Sequence, residues 1–324
     1  MMASYLLRLF CLSLASFFLV HLALGLAVLL SSSTALRLAR RLHSNTASRI
    51  LLALRLLPVT AALLLVLLVF IPGYLWLEPA STPEPIGLLC IAIAALGAAV
   101  WSISIARTLQ AAARSSRLVR GWQRTGRPAF FRNHPIPVWK IDGPVPHVML
   151  AGFIRSHLIV SSRVVDNLTA EQLSAVLKHE EFHSRSRDNL KRLLVMLSPG
   201  LVPFYRGFAI LERGWANVVE WAADDSAVAG DSERSLALAA ALVQVARMGI
   251  APAPTPLTTS LTADGLDLST RIDRLLHNAS APAAPARGGL LPAASAAVAA
   301  VLLALLLRPA ILRTAYEILE ELIR

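Results

Sequence analysis

The sequence predicts a mainly α-helical membrane protein, with four transmembrane helices and an α+β domain between the third and the fourth. Three observations carry this. Of 324 residues, 56% are hydrophobic and only 16% are charged, against about 25% charged in ordinary soluble domains. The apolar residues gather in four runs near the roughly 20-residue length that crosses a bilayer. The segment between the third and fourth runs changes character, with short β-branched stretches followed by amphipathic helical ones.

The runs cover about 12–30, 56–77, 86–106 and 290–307. They are helical because a lipid-exposed backbone must satisfy its own polar groups. Sidedness follows from the arginines. The first loop carries Arg37, Arg40, Arg41 and Arg49 and faces the cytoplasm. The 78–85 loop has two acids and no base and faces outside. Residues 107–287, opening with Arg107, Arg114, Arg117, Arg120, Arg124 and Arg127, face the cytoplasm again. This divides the chain into 1–106 (three spans), 107–287 (cytosolic domain), 288–308 (fourth span) and 309–324 (a short extracytoplasmic tail). The net charge of +11 is a positive-inside bias, since few aromatics are interleaved with the basic residues and no nucleic-acid-reading motif appears. The partner this implies is the lipid bilayer, and no nucleic acid. Cys11 and Cys90 lie alone in apolar runs and read as small hydrophobes. His21, and Arg55 near a helix end where it can snorkel, read as packing or interface residues.

Within the cytosolic segment, 107–123 continues the third span as helix. Strands are expected over 136–142, 147–153 and 157–160. Thr169 followed by Gln172 is a capping box, which starts a helix from Glu171 to at least His183 with Leu173, Val176 and Leu177 as its buried stripe. Further helices are expected over about 218–229 and 235–247, and 251–256 and 279–287 read as Pro/Ala-rich connectors.

The capped helix carries His179-Glu180-Glu181-Phe182-His183. Residues four apart share a helix face, so both imidazoles can reach one zinc ion at about 2.0–2.1 Å. Glu180 lies beside that face, where a carboxylate acts as general base toward a zinc-activated water. Glu181 is assigned to solvent or structure. A catalytic zinc needs a third protein ligand and an open position. Ser186 and Asn189 stand where a longer histidine motif would continue, so that ligand comes from elsewhere. Glu220 and Asp224, also four apart, share a face of the next helix. Glu220 is assigned as ligand and Asp224 as acceptor of a histidine ring N–H; the two roles are interchangeable on sequence grounds, and Asp225 is a weaker candidate.

With these residues in place, the chain resembles the BlaR/MecR-type membrane metallopeptidases. These are gluzincins with three spans, a zincin-like cytosolic domain and a fourth span. The likeness covers about 107–307: strands at 147–162, the helix Leu173-Ser-Ala-Val-Leu-Lys-His-Glu-Glu-Phe-His183, the basic run Ser184-Arg-Ser-Arg-Asp188, Glu220-Trp-Ala-Ala-Asp224 as an ExxxD element, and Arg271-Ile-Asp-Arg-Leu-Leu276 ahead of the last span. The resemblance implies one zinc per chain held by His179, His183 and Glu220, Glu180 as catalytic base, and a protein substrate typically linked to a transcriptional repressor. Antibiotic-sensing members carry a penicillin-binding domain after the fourth span; here 308–324 stands in its place with no S-x-x-K motif, so β-lactam sensing is not expected.

The substrate is expected to add as a strand at a sheet edge formed by Leu150, Ala151, Gly152 and Phe153. Two other readings compete: an HtpX-like quality-control peptidase with the same zinc chemistry, and a non-catalytic signalling scaffold that docks a partner on Arg185, Arg187, Lys191 and Arg192.

Overall fold

The computed structural model describes residues 2–77, 86–129, 136–143, 148–202, 207–249, 257–261 and 265–279, with residues 313 and 317 singly. The expected fourth span, nearly all of the tail, the 78–85 loop, the 251–256 connector and His147 lie outside the described residues.

The first three apolar runs form helices that extend well past the hydrophobic stretches themselves. They are α1 (Met2–Ala39), then α2 (Ser44–Leu65), which passes through a π-helical turn (Val66–Phe70) into α3 (Ile71–Leu77), and α4 (Leu88–Thr125). Three stretches, Tyr5–Ala39, Ser44–Leu77 and Leu88–Thr125, are long and apolar enough to cross a membrane. The 38 residues of α4 make a rod of about 57 Å. That exceeds the roughly 30 Å apolar layer of a bilayer, and a sheet packs against its basic end. Cys90 is buried among Leu12, Ala15, Tyr74 and Ala94, with Cys11 against the same cluster.

The sheet is small and mixed. β1 (Arg127–Ala129), β2 (Val138–Ile141), β3 (Val148–Ala151), β4 (His157–Ser161) and β5 (Thr258–Ser260) are ordered β1-β2-β4-β3-β5. β2 and β4 are parallel, and the other pairs are antiparallel. Val138, Val148, Leu150, Leu158 and Val160 face one core. Ile141, Ala151 and Ile159 face Val119 and Trp122 on the free end of α4. Burial on both faces explains why β3 and β4 read as continuous apolar runs rather than alternating ones.

The pairing corrects one expectation. Leu150 and Ala151 do not form a free edge, because β5 pairs there with Leu150 opposite Thr259 and Ala151 opposite Thr258. Their side chains are buried, and Gly152 and Phe153 lie past the end of the strand. Sequence reading could not place β5, which lies about a hundred residues away and is three residues long.

The helices are α5 (Ser162–Asn167), α6 (Ala170–Arg185), α7 (Asp188–Leu197), α8 (Ala209–Val228), α9 (Ser232–Arg247) and α10 (Gly265–Ala279). The capping box of α6 forms in full: Gln172 N–H donates to Thr169 Oγ1 and Thr169 N–H to Gln172 Oε1. α9 starts on Asp231, whose carboxylate accepts from the N–H groups of Glu233 and Arg234. Val176, Leu177, Leu238 and Leu242 pack onto the sheet core.

α8 belongs to two cores. Its Leu211, Trp215, Val218 and Val219 pack with Val28, Ala39, Ala47 and Leu51 of α1 and α2. Its last turn, Ala227 and Val228, joins the sheet core. Arg55 also departs from expectation. It does not snorkel outward, because its guanidinium is buried and turned inward to Glu212 of α8 at 2.8 Å.

Candidate metal centre

α6 and α8 cross so that His179, Glu180 and His183 face Glu220 and Asp224. The three residues expected to ligate, His179, His183 and Glu220, offer one ligand atom each, all within 4.8 Å of one another. The rings are aimed by acids behind them. His183 Nδ1 lies 2.8 Å from Asp188 Oδ2. His179 Nδ1 lies 2.9 Å from Asp224 Oδ1, close but off the direction of the N–H. A carboxylate can only accept, so each Nδ1 carries a proton and each Nε2 is left to hold either a second proton or a metal ion. Those two Nε2 atoms are 3.2 Å apart. Glu220 Oε2 lies 3.5 Å from one and Oε1 3.6 Å from the other. Three electron-rich atoms converging in a buried place need a cation between them, either a proton or a metal ion.

The titration of the metal-free cluster reflects the same demand. Burial disfavours charge on His183, but the Glu220 carboxylate and the bond to Asp188 prevail and push its pKa up to about 10. Burial also opposes charge on His179, and the neighbouring Asp224 and Glu220 carboxylates outweigh this, leaving the pKa raised. Glu220 is itself disfavoured as an anion by burial, yet His183, His179 and Arg271 hold it well below the usual carboxylate range. The group is thus an anionic carboxylate facing two imidazoles, a set that can hold a metal ion.

Glu180 stands apart from this network. It is 0% exposed, and neither carboxylate oxygen has a hydrogen-bond partner. Burial pushes its pKa up. An unpaired carboxyl in such a place is costly, and a raised pKa is what a general base near neutral pH requires.

Local chain geometry explains how Asp188 reaches back to His183. Arg187 adopts a left-handed conformation, φ 54°, which stops α6 and restarts the chain as α7 one residue later. Asp188 then sits in the first turn of α7, also accepting from Ser186 Oγ at 2.6 Å and Lys191 Nζ at 2.8 Å. The next residue, Asn189, donates to the carbonyls of Leu150 and Gly152 and ties α7 to β3.

Sequence reading gave Asp188 and Arg271 no role in the site. Arg271 grips Asp224 with two bonds, 2.8 and 2.7 Å, and approaches Glu220 Oε2 at 3.3 Å. The signal for it was charge balance, since a buried and a half-buried acid on one face of α8 need a cation opposite. Arg192 Nη2 stands 3.9 Å from Glu220. Asp225, the weaker candidate, points away to Ser44 Oγ at 2.7 Å and Arg274 at 3.2 Å. Glu181 pairs with Arg185 along the outside of α6.

The chain matches no model of a known protein family, and no curated protein matches it significantly.

Proposed function

We propose that the chain is a membrane-bound zinc endopeptidase of the BlaR/MecR type, acting on a protein substrate from the cytosolic side. The observation that carries this reading is the pair of Nε2 lone pairs converging with Glu220, with an unpaired buried Glu180 alongside. Two neutral imidazoles and a carboxylate are a donor set suited to zinc. Zinc held there would polarise a substrate carbonyl and acidify a water molecule.

The chain's own groups supply the rest. Asp188 and Asp224 hold the ring protons on Nδ1, so that both Nε2 atoms stay available. Arg271 fixes Asp224 and offsets its charge. Glu180 accepts a proton on a carboxylate oxygen as water attacks, and returns it to the leaving amine. Against a docking scaffold, Lys191 and Arg192 of its supposed basic face turn inward to Asp188 and Glu220.

The test is zinc content together with hydrolysis for the full chain purified in detergent, beside Glu180→Gln. The parent should hold about one zinc, the number the three-ligand site takes. The variant should hold as much zinc and lose about 10²–10⁴-fold in rate. A folded parent that takes up no zinc, or a Glu180→Gln protein that cleaves normally, overturns the reading.

A further inference from the structure

The described ends of the connection between α7 and α8, Ser198–Val202 and Gly207–Phe208, lie against the long apolar helices. The Gly200 carbonyl lies 3.1 Å from His21 Nε2 on α1, and as it can only accept, Nε2 donates. Arg55 on α2 donates to the carbonyls of Val195 and Ser198 at 3.3 Å each and to Ser198 Oγ at 2.7 Å. Its guanidinium also covers the Phe208 ring at 4.4 Å. Leu201 presses so closely on Gly25 that a Cβ there would collide with it. Irregular backbone is tolerated at membrane depth only where protein supplies its hydrogen bonds. Here the donors come from the two helices it lies against, and both are buried, His21 at 0% and Arg55 at 4% exposed.

Depth can be read from α1. His21 lies midway between Arg8 and Arg37, the charges that bound its apolar run. The other side of the hairpin carries Leu194, Leu197, Val202 and Ile210, all exposed. Such a patch is a liability in water. Leu57 on α2 and Leu67 in its π-helical turn are exposed as well, and acyl chains would cover all of these residues.

We infer that the α7–α8 hairpin is a re-entrant element embedded in one leaflet, and that it fixes the metal cluster at the bilayer surface, where the site takes polypeptide as it emerges from the membrane. The lengths agree. Asp188 to Ser198 spans about 15 Å and Phe208 to Glu220 about 18 Å of helix. Half the apolar layer is about 15 Å. Ser198 and Phe208 at mid-depth therefore bring the root of the hairpin, with its candidate metal ligands, level with the polar boundary. The substrate part of this inference rests on the peptidase reading; the position of the hairpin does not.

The test uses the full chain in liposomes, with Cys11 and Cys90 replaced by Ala and a single cysteine carrying an environment-sensitive fluorophore. Positions Leu197→Cys and Val202→Cys are compared with Leu67→Cys on the rod and Ser174→Cys on α6. Acyl-chain doxyl lipids should quench positions 197 and 202 as they quench 67, and iodide should lose the access it has at 174. Iodide access at 197 and 202 equal to that at 174 overturns the inference. A reporter protein carrying a transmembrane anchor then maps the cuts. They should fall within about ten residues of the anchor, the reach of extended chain over about 30 Å. Cuts spread evenly along the reporter overturn the substrate assignment. No cut at all, with lipid quenching intact, sinks the peptidase reading and leaves the hairpin standing.

Discussion

Two polar clusters sit about two turns apart along α8, at Glu212 and at Glu220, and they are finished to different degrees. At the first, Arg55 spends its guanidinium N–H groups on Glu212, Ser198 and two backbone carbonyls, and its charge meets an acid. At the second, two imidazole Nε2 atoms and a carboxylate face one another, and the Glu180 carboxyl makes no hydrogen bond. The first cluster is self-sufficient, and its role is to seat the chain. The second is incomplete in a directed way: each histidine is anchored behind by an acid, and the unmet demand of all three groups meets at one shared point. Buried polarity alone is therefore a poor sign of function. The informative feature is an unmet demand with a defined geometry.

Removing Glu220 should separate the clusters most sharply. Glu220→Ala should lower metal affinity by more than the ~10–100-fold typical of losing a ligand's hydrogen-bond partner, read by chelator competition, while the fold persists. Arg55→Ala should do the reverse. Loss of one partner from a buried pair costs about 3–5 kcal/mol, toward the low end here because the Glu212 side chain is 31% exposed. The loss appears as a lower melting temperature in detergent, with metal still bound by the folded fraction. If Arg55→Ala abolished metal binding in well-folded protein, the two clusters could not be treated as distinct.

Acidity gives a graded test of the same contrast. His183 is raised from 6.5 to about 10 without metal, so near neutral pH a metal must displace a proton. Apparent affinity should fall about tenfold for each unit the pH is lowered, for each proton displaced. The raised histidine stabilises the metal-free fold fully below pH 6.5 and progressively less as pH rises through about 10. The gap in melting temperature between metal-loaded and metal-free protein should thus widen from pH 6 to 9, and a constant gap would contradict the assignment. The smallest effect concerns Arg187. A non-glycine residue at φ 54° is strained by about 1 kcal/mol or more, so Arg187→Gly should raise stability by up to about 1 kcal/mol, offset by glycine's greater freedom when unfolded.

What could be read from the sequence was local. The capping box, the His179/His183 face and the Glu220/Asp224 face each follow from the period of one helix, and all lie where that period puts them. The three long helices were legible for the same reason, since an apolar run needs no partner to declare itself. The features that escaped are non-local. Arg271 meets Asp224 across 47 positions, Arg55 meets Glu212 across 157, and β5 takes the flank of β3 that looked free. The α7–α8 hairpin escaped for a different reason. Its apolar residues are divided among a helix, a connection and another helix, none long enough to register as a span. Asp188 was visible at the end of a basic run, but its bond to His183 depends on the left-handed turn at Arg187, which residue type alone does not announce.

The double allegiance of α8 has a practical side. A fragment cut at the edge of the membrane region would strip Leu211, Trp215, Val218 and Val219 of the side chains that cover them, on the same helix that presents Glu220. The residues that could hold a metal ion and those that pack on the long apolar helices share a beam, with no seam where an engineer could saw. A bilayer that leans α2 to a new tilt would also lean the carboxylate, so the thickness of the surrounding lipid becomes one of the dials on this centre.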